Sequence, residues 1–189
     1  SESTDQPDAN FLEIYSWASA GAHNYLDQKW STVFEGISRA NNTIRLLEQV
    51  EAATPEEVTD ANAAGIRGEA LFLRAHFHFE GWRMWGNIPY YTEEDDDFRK
   101  ANTGVDPIPL ILADLDEAIS LLPVASRNGH VGRANQWTAK AYKGRVQVSS
   151  GDYAAGLVTL RDVVNSNVYA LEDNFHHVWS GFTEFANGR

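Results

Sequence analysis

Residues 68–91 read "GEALFLRAHFHFEGWRMWGNIPYY", and the fold turns on whether this stretch is one buried helix followed by a loop. Three Phe, two Trp and two Tyr surround Arg74, Arg83 and the triplet His76-Phe77-His78. Ile66, Ala70, Leu73, Phe77 and Met84 form one stripe, and Phe72, Ala75, Phe79 and Trp82 form a second beside it. Spacings of three and four are helical. A helix apolar over so much of its girth belongs at the centre of a fold. "TPEE" at 54–57 supplies the start: Thr54 caps, Pro55 suits the first helical position and Glu57 completes a capping box. Gly86 is the stop and Pro89 enforces it. The expected helix runs from there to about Trp85, roughly 45 Å long.

Outward from this rod the pattern stays helical. A first long helix is expected from near Trp30, with Trp30, Phe34, Ile37, Ile44 and Leu47 on one stripe. After the rod, residues 86–106 form a long connection, the kind that is functional or mobile. A third helix, "DPIPLILADLDEAISLLP", carries Ile111, Leu115, Ala118 and Leu122 on one face. A fourth covers about 135–149, "SGDY" at 150–153 is a tight turn, and a fifth reads "YAAGLVTLRDVVNS". In this last pair the small residues Ala141, Gly144 and Ala155 flank the turn, as in a tetratricopeptide hairpin. No run alternates with period two. The expectation is an all-α fold, with tetratricopeptide-like helical hairpins packed around a long central helix and long connecting loops.

Composition narrows the function. The 189 residues suffice for one domain, here taken as 1–189. With 15 basic against 27 acidic side chains the net charge is −12, which repels phosphate backbones and argues against nucleic acid as a partner. The absence of cysteine excludes thiolate nucleophiles and zinc–thiolate sites. No nucleophile elbow or Gly-rich phosphate loop is present, so no catalytic residue, cofactor or metal is assigned.

Several motifs occur in a fixed order: "FEGISRANNTI", "GEALFLRAHFHF" running into "RMWGNIP", "ILADLDEAISLLP", "GRANQWTAKAYKGR" and "GDYAAG". Together they span about residues 30–172 and resemble the N-terminal part of the SusD/RagB family. That resemblance implies a non-catalytic cell-surface glycan-binding lipoprotein of the Bacteroidetes outer membrane. It would deliver oligosaccharide or polysaccharide to a SusC-like TonB-dependent transporter. It also implies that this chain is the leading, helical part of a longer protein, lipid-anchored through an N-terminal cysteine that this sequence lacks. The alternative reading is a tetratricopeptide-type module that binds protein.

Candidate ligand contacts follow from side-chain chemistry. Aromatic rings stack on the C–H faces of sugars, while Asn, Asp and His address hydroxyls. Trp17, His23, Asn24, Tyr25 and Asp27 combine these in an expected loop before the first helix. Tyr90 and Tyr91 form a second candidate pair after the central rod. A metal enzyme built on His76, His78 and Glu80 is a third reading. It is disfavoured because His78 lies about 160° from the face that His76 and Glu80 share. The acidic run at 93–97 is expected to be solvated, with calcium as the alternative. Asp114 with Glu117 is likewise expected on a solvated face, His176-His177 is read as a loop end, and Arg74 and Glu69 are expected to be structural charges with partners.

Overall fold

The computed structural model describes residues 24–96, 99–102, 104–174 and 176. Five α-helices account for most of them: α1 (Asn24–Ala53), α2 (Asp60–Trp85), α3 (Pro107–Leu121), α4 (Gln136–Ser149) and α5 (Tyr153–Asn165). No strand occurs among the described residues. None of their helices is long and apolar enough to cross a membrane.

Each helix packs antiparallel on the next. Along α1 and α2, Lys29 meets Glu80, Asn41 meets Arg74, and Glu48 meets Arg67. On the other side of α2, Arg74 meets Asp114 of α3. Asp116 then meets Lys143 of α4, and Lys140 meets Asp162 of α5. The central rod is therefore enclosed by α1 and α3, as its two stripes require. Ala75, Phe79, Ile111 and Leu115 are wholly buried in one core cluster. Ile44, Ala70, Leu71, Ala118 and Ala139 fill a second. Leu73 and Met84, expected inside, are nearly half exposed at the edge of the α1–α2 contact.

Two boundaries differ from expectation. α1 begins at Asn24, one and a half turns before Trp30. The central helix starts later than expected, because Pro55–Glu57 closes only a 3₁₀ turn and the Thr54 side chain caps nothing. Val58 and Thr59 are extended, and the Thr59 side chain accepts the Asn62 N–H as the true N-cap. The β-branched pair favours extended backbone, so the chain makes a corner there before the rod begins. At the far end Gly86 takes φ +69°, which glycine tolerates and which ends the helix as expected.

α3, α4 and α5 are capped by Asp106, Asn135 and Asp152, each accepting a backbone N–H of the first turn. In the α4–α5 hairpin the close approach uses Gly144 and Gly156 rather than Ala155. A Cβ at Gly144 would sit 2.6 Å from Leu160, and one at Gly156 would sit 2.7 Å from Val148 and 3.3 Å from its backbone nitrogen.

Candidate functional site

The segment 86–96 is not a loose loop. A buried polar node made by α1, α2 and α3 pins it. Arg74, 4% exposed, forks onto Asp114 with two bonds of 2.7 Å. Its remaining nitrogen donates to Asn41 Oδ1 and ion-pairs with Glu93. Asn41 Nδ2 in turn donates to the Tyr91 carbonyl. Arg45 reaches the Glu93 carbonyl at 2.6 Å and the Asp95 carbonyl at 2.9 Å. Tyr90 donates its hydroxyl to Asp114. Burial pushes the Glu93 carboxyl up, but its hydrogen bonds and the Arg74 charge outweigh that and hold it below its usual range.

Two expectations fall here. Asp114 is buried and paired rather than solvated, because α2 brings a guanidinium over it. The acidic run is solvated only in part, with Glu94 and Asp96 exposed. Glu93 is committed to Arg74, and Asp95 to Lys100 and Thr92. Asp97 lies outside the described residues. Arg74 and Glu69 do have the expected partners, Glu69 pairing with Arg127 and Arg133 at 2.8 and 2.6 Å.

The histidines serve packing. His78 is fully buried, stacked on the Tyr90 ring at 3.9 Å. The Tyr91 N–H donates to His78 Nε2, so the proton sits on Nδ1 and goes to the Arg74 carbonyl. Burial lowers its pKa to about 3, with the hydrogen bond to Arg74 opposing that shift. His76 bonds through Nδ1 to the Tyr142 hydroxyl. Both His78 nitrogens are thus occupied, which leaves it no lone pair for a metal. His176 is exposed, and His177 lies outside the described residues.

Pinning the segment opens a cleft of about 320 Å³ between it and α1. Its apolar wall is Trp30, Phe34, Ile37, Pro89 and Tyr91, and its polar wall is Ser38, Asn41, Arg45, Thr92, Asp95 and Asp96. Trp30 is 38% exposed and buttressed by Phe34 at 4.3 Å and Trp85 at 5.0 Å. Tyr91 meets Phe34 edge-on and lies under the Lys100 ammonium. The result is an aromatic face next to hydrogen-bonding groups, the arrangement that a polyhydroxylated ligand needs.

Of the residues singled out from sequence, Tyr91 lines this cleft. Tyr90 does not: it is 6% exposed and locked onto Asp114. Asn24, Tyr25 and Asp27 fall in the first turn of α1 rather than in a loop, and Asp27 is exposed. Asp27, Trp30 and Phe34 follow at i, i+3 and i+7, so they share one face of α1. Trp17 and His23 lie outside the described residues. Trp30 and Phe34 share the stripe of the buried Ile37, Ile44 and Leu47, yet line the cleft. The signal that separates them from core is Val33, one residue off the stripe, which takes the buried position at 1% exposure.

A SusD-like family model, described as "starch-binding associating with outer membrane", matches residues 3–148. The SusD-like protein P38 of Formosa agariphila is 25% identical over 174 residues, covering 89% of this chain and 32% of that protein. The chain thus spans about a third of the length of the curated relatives it matches. Surface glycan-binding protein A of Bacteroides fluxus superposes with a TM-score of 0.69 at 29% identity, covering 85% of this chain and 34% of that one. A laminarin-binding SusD-like protein superposes at 0.66 with 26% identity, covering 80% and 34%.

Proposed function

The chain belongs to the SusD-like family of starch-binding, outer-membrane-associated proteins, and from that premise we propose that it captures oligosaccharide at the cell surface without chemically changing it. In this reading residues 1–189 are the helical scaffold of a longer, lipid-anchored protein that passes its glycan to a SusC-like TonB-dependent transporter.

One observation carries the proposal: the Trp30–Phe34–Tyr91 face beside Asn41, Thr92 and Asp96 in a single cleft. The rings accept the C–H face of a sugar, and the polar wall takes its hydroxyls. Asp27 lies on the same face of α1 as Trp30, and in this reading it, Trp17, His23, Asn24 and Tyr25 are further ligand contacts. Capture is favoured over hydrolysis because Asp95 is already committed to Lys100 and Thr92. Among the described residues that line the cleft, Asp96 is then the remaining carboxylate, whereas glycoside hydrolysis uses a pair. The laminarin-binding relative makes neutral β-glucans the first ligands to try.

Titration calorimetry of the chain with a panel of neutral oligosaccharides tests the reading. Heat with at least one glycan, lost in Trp30→Ala, supports it. No binding to any glycan sinks it. Co-purification of the transporter with the longer protein from outer membranes tests delivery, and its absence removes that part.

A further inference from the structure

On a chain of net charge −12, three cations gather at one carboxylate. Lys29 of α1, Arg83 of α2 and Arg145 of α4 converge on the single carboxylate of Glu80, at 3.5, 3.0 and 3.9 Å. No other carboxylate among the described residues pairs with any of the three, so the cluster keeps an excess of cation. Burial pushes the Glu80 carboxyl up, yet Arg83 and Lys29 outweigh it and hold Glu80 ionised below its usual range. The Arg145 side chain is half exposed and lies over the Tyr142 and Phe79 rings at 5.4 and 5.7 Å. Such a stacked guanidinium keeps its edges available for an anion.

Arg145 borders a groove of about 630 Å³ that is separate from the Trp30 cleft and shares no residue with it. Among the described residues that line it, none is Asp or Glu, and Ser126, Asn135, Thr138, Tyr142 and Tyr169 bring polar groups. Asn135 is 7% exposed. Its Oδ1 accepts from the Thr138 N–H at 2.9 Å and from the Thr138 and Tyr169 hydroxyls at 3.2 and 3.0 Å. That fixes the amide orientation, and no described residue accepts from its Nδ2. That Nδ2 is not sealed off, so it stands as a donor open to solvent or to a ligand in the groove. Tyr169, half exposed, adds a ring face at the mouth. The groove therefore offers donors, a cation and an aromatic face, and it lacks an anion.

We propose that this groove is a second saccharide site, selective for an acidic sugar, whose anionic group meets Arg145 while its ring oxygens and hydroxyls meet Asn135, Thr138 and Tyr169. The proposal rests on the glycan-capture reading but uses a different surface. Carboxylate and sulfate share the required chemistry, so the anion comes from a uronic acid or a sulfated sugar.

Binding of the chain to oligogalacturonate, to a sulfated galactan oligosaccharide and to a neutral glucan of equal length is compared by calorimetry at about 50 and 300 mM salt. One or both acidic ligands bind, and they weaken with salt. Arg145→Gln, which keeps the stacked methylenes, and Arg83→Ala each weaken them by about tenfold or more. The neutral glucan is unaffected by these variants and is lost in Trp30→Ala instead. Whichever acidic ligand binds identifies the source of the anion. Binding of the neutral glucan alone, or acidic binding indifferent to both arginine variants, overturns the second site and leaves the Trp30 cleft standing. No binding by any glycan overturns both. Arginine-dependent binding of an acidic peptide in preference to every sugar overturns the saccharide assignment.

Discussion

Arg74 and Asp114, forty residues apart, face each other in a two-pronged ion pair at 2.7 Å with both side chains nearly sealed from water. The pair ties α2 to α3, and through Asn41, Tyr90 and Glu93 it also holds α1 and the cleft segment. Burying ions is costly, and removing one partner leaves the other stranded. Arg74→Met is expected to destabilise the chain by about 3–5 kcal/mol. The double variant Arg74→Met with Asp114→Leu should lose clearly less than the sum of the single losses. Urea unfolding of the four proteins measures this. Additive losses would show that the two residues are not coupled.

The His78 imidazole gives a pH signature. Its folded pKa is about 3, against about 6.5 in the unfolded chain. Below pH 6.5 the unfolded state takes up a proton that the folded state refuses, so stability falls as pH drops from 6.5 toward 3. The slope is about 1.4 kcal/mol per pH unit, or about 2 kcal/mol lost from this group by pH 5. Burial depresses His76 in the same direction. Denaturant midpoints between pH 7.5 and 5 are expected to drop in the native chain and to drop less in His78→Phe. Equal slopes would rule His78 out as the source.

Gly156 tests the hairpin. Alanine normally favours a helix by about 1 kcal/mol over glycine. Here its Cβ would press on Val148, backbone nitrogen included, so α4 and α5 must separate. Gly156→Ala is expected to cost about 1–3 kcal/mol. A thermal midpoint unchanged or raised would show that the helices do not interlock at this glycine.

Trp30 separates binding from folding. It is more than a third exposed, so Trp30→Ala should cost the fold only about 1–2 kcal/mol. Loss of a stacking anchor is expected to weaken neutral glycan binding by at least about tenfold. A folded variant that binds normally would remove the cleft from the mechanism.

Much of the fold was legible because helices announce themselves locally. The α3 face of Ile111, Leu115, Ala118 and Leu122 is buried as its spacing requires. The central position of α2 follows from its two stripes. The cleft was only half legible. Tyr90 and Tyr91 are chemically alike and adjacent, and nothing local says that one reaches Asp114 while the other lines the cleft. Trp30 shares the period of true core residues, and its exposure depends on where α2 and the cleft segment end above it.

The sequence by itself determined five helices, their order, the glycine that ends the central rod and an acidic surface without thiols, since period, capping chemistry and composition act within a few residues. Only the tertiary structure decided which charges are buried, which tyrosine lines the cleft and where cations gather around Glu80. Those outcomes depend on the register in which separate helices meet, and pairs such as Arg74 with Asp114 or Arg45 with Asp95 exist only after packing has brought distant segments within hydrogen-bond reach.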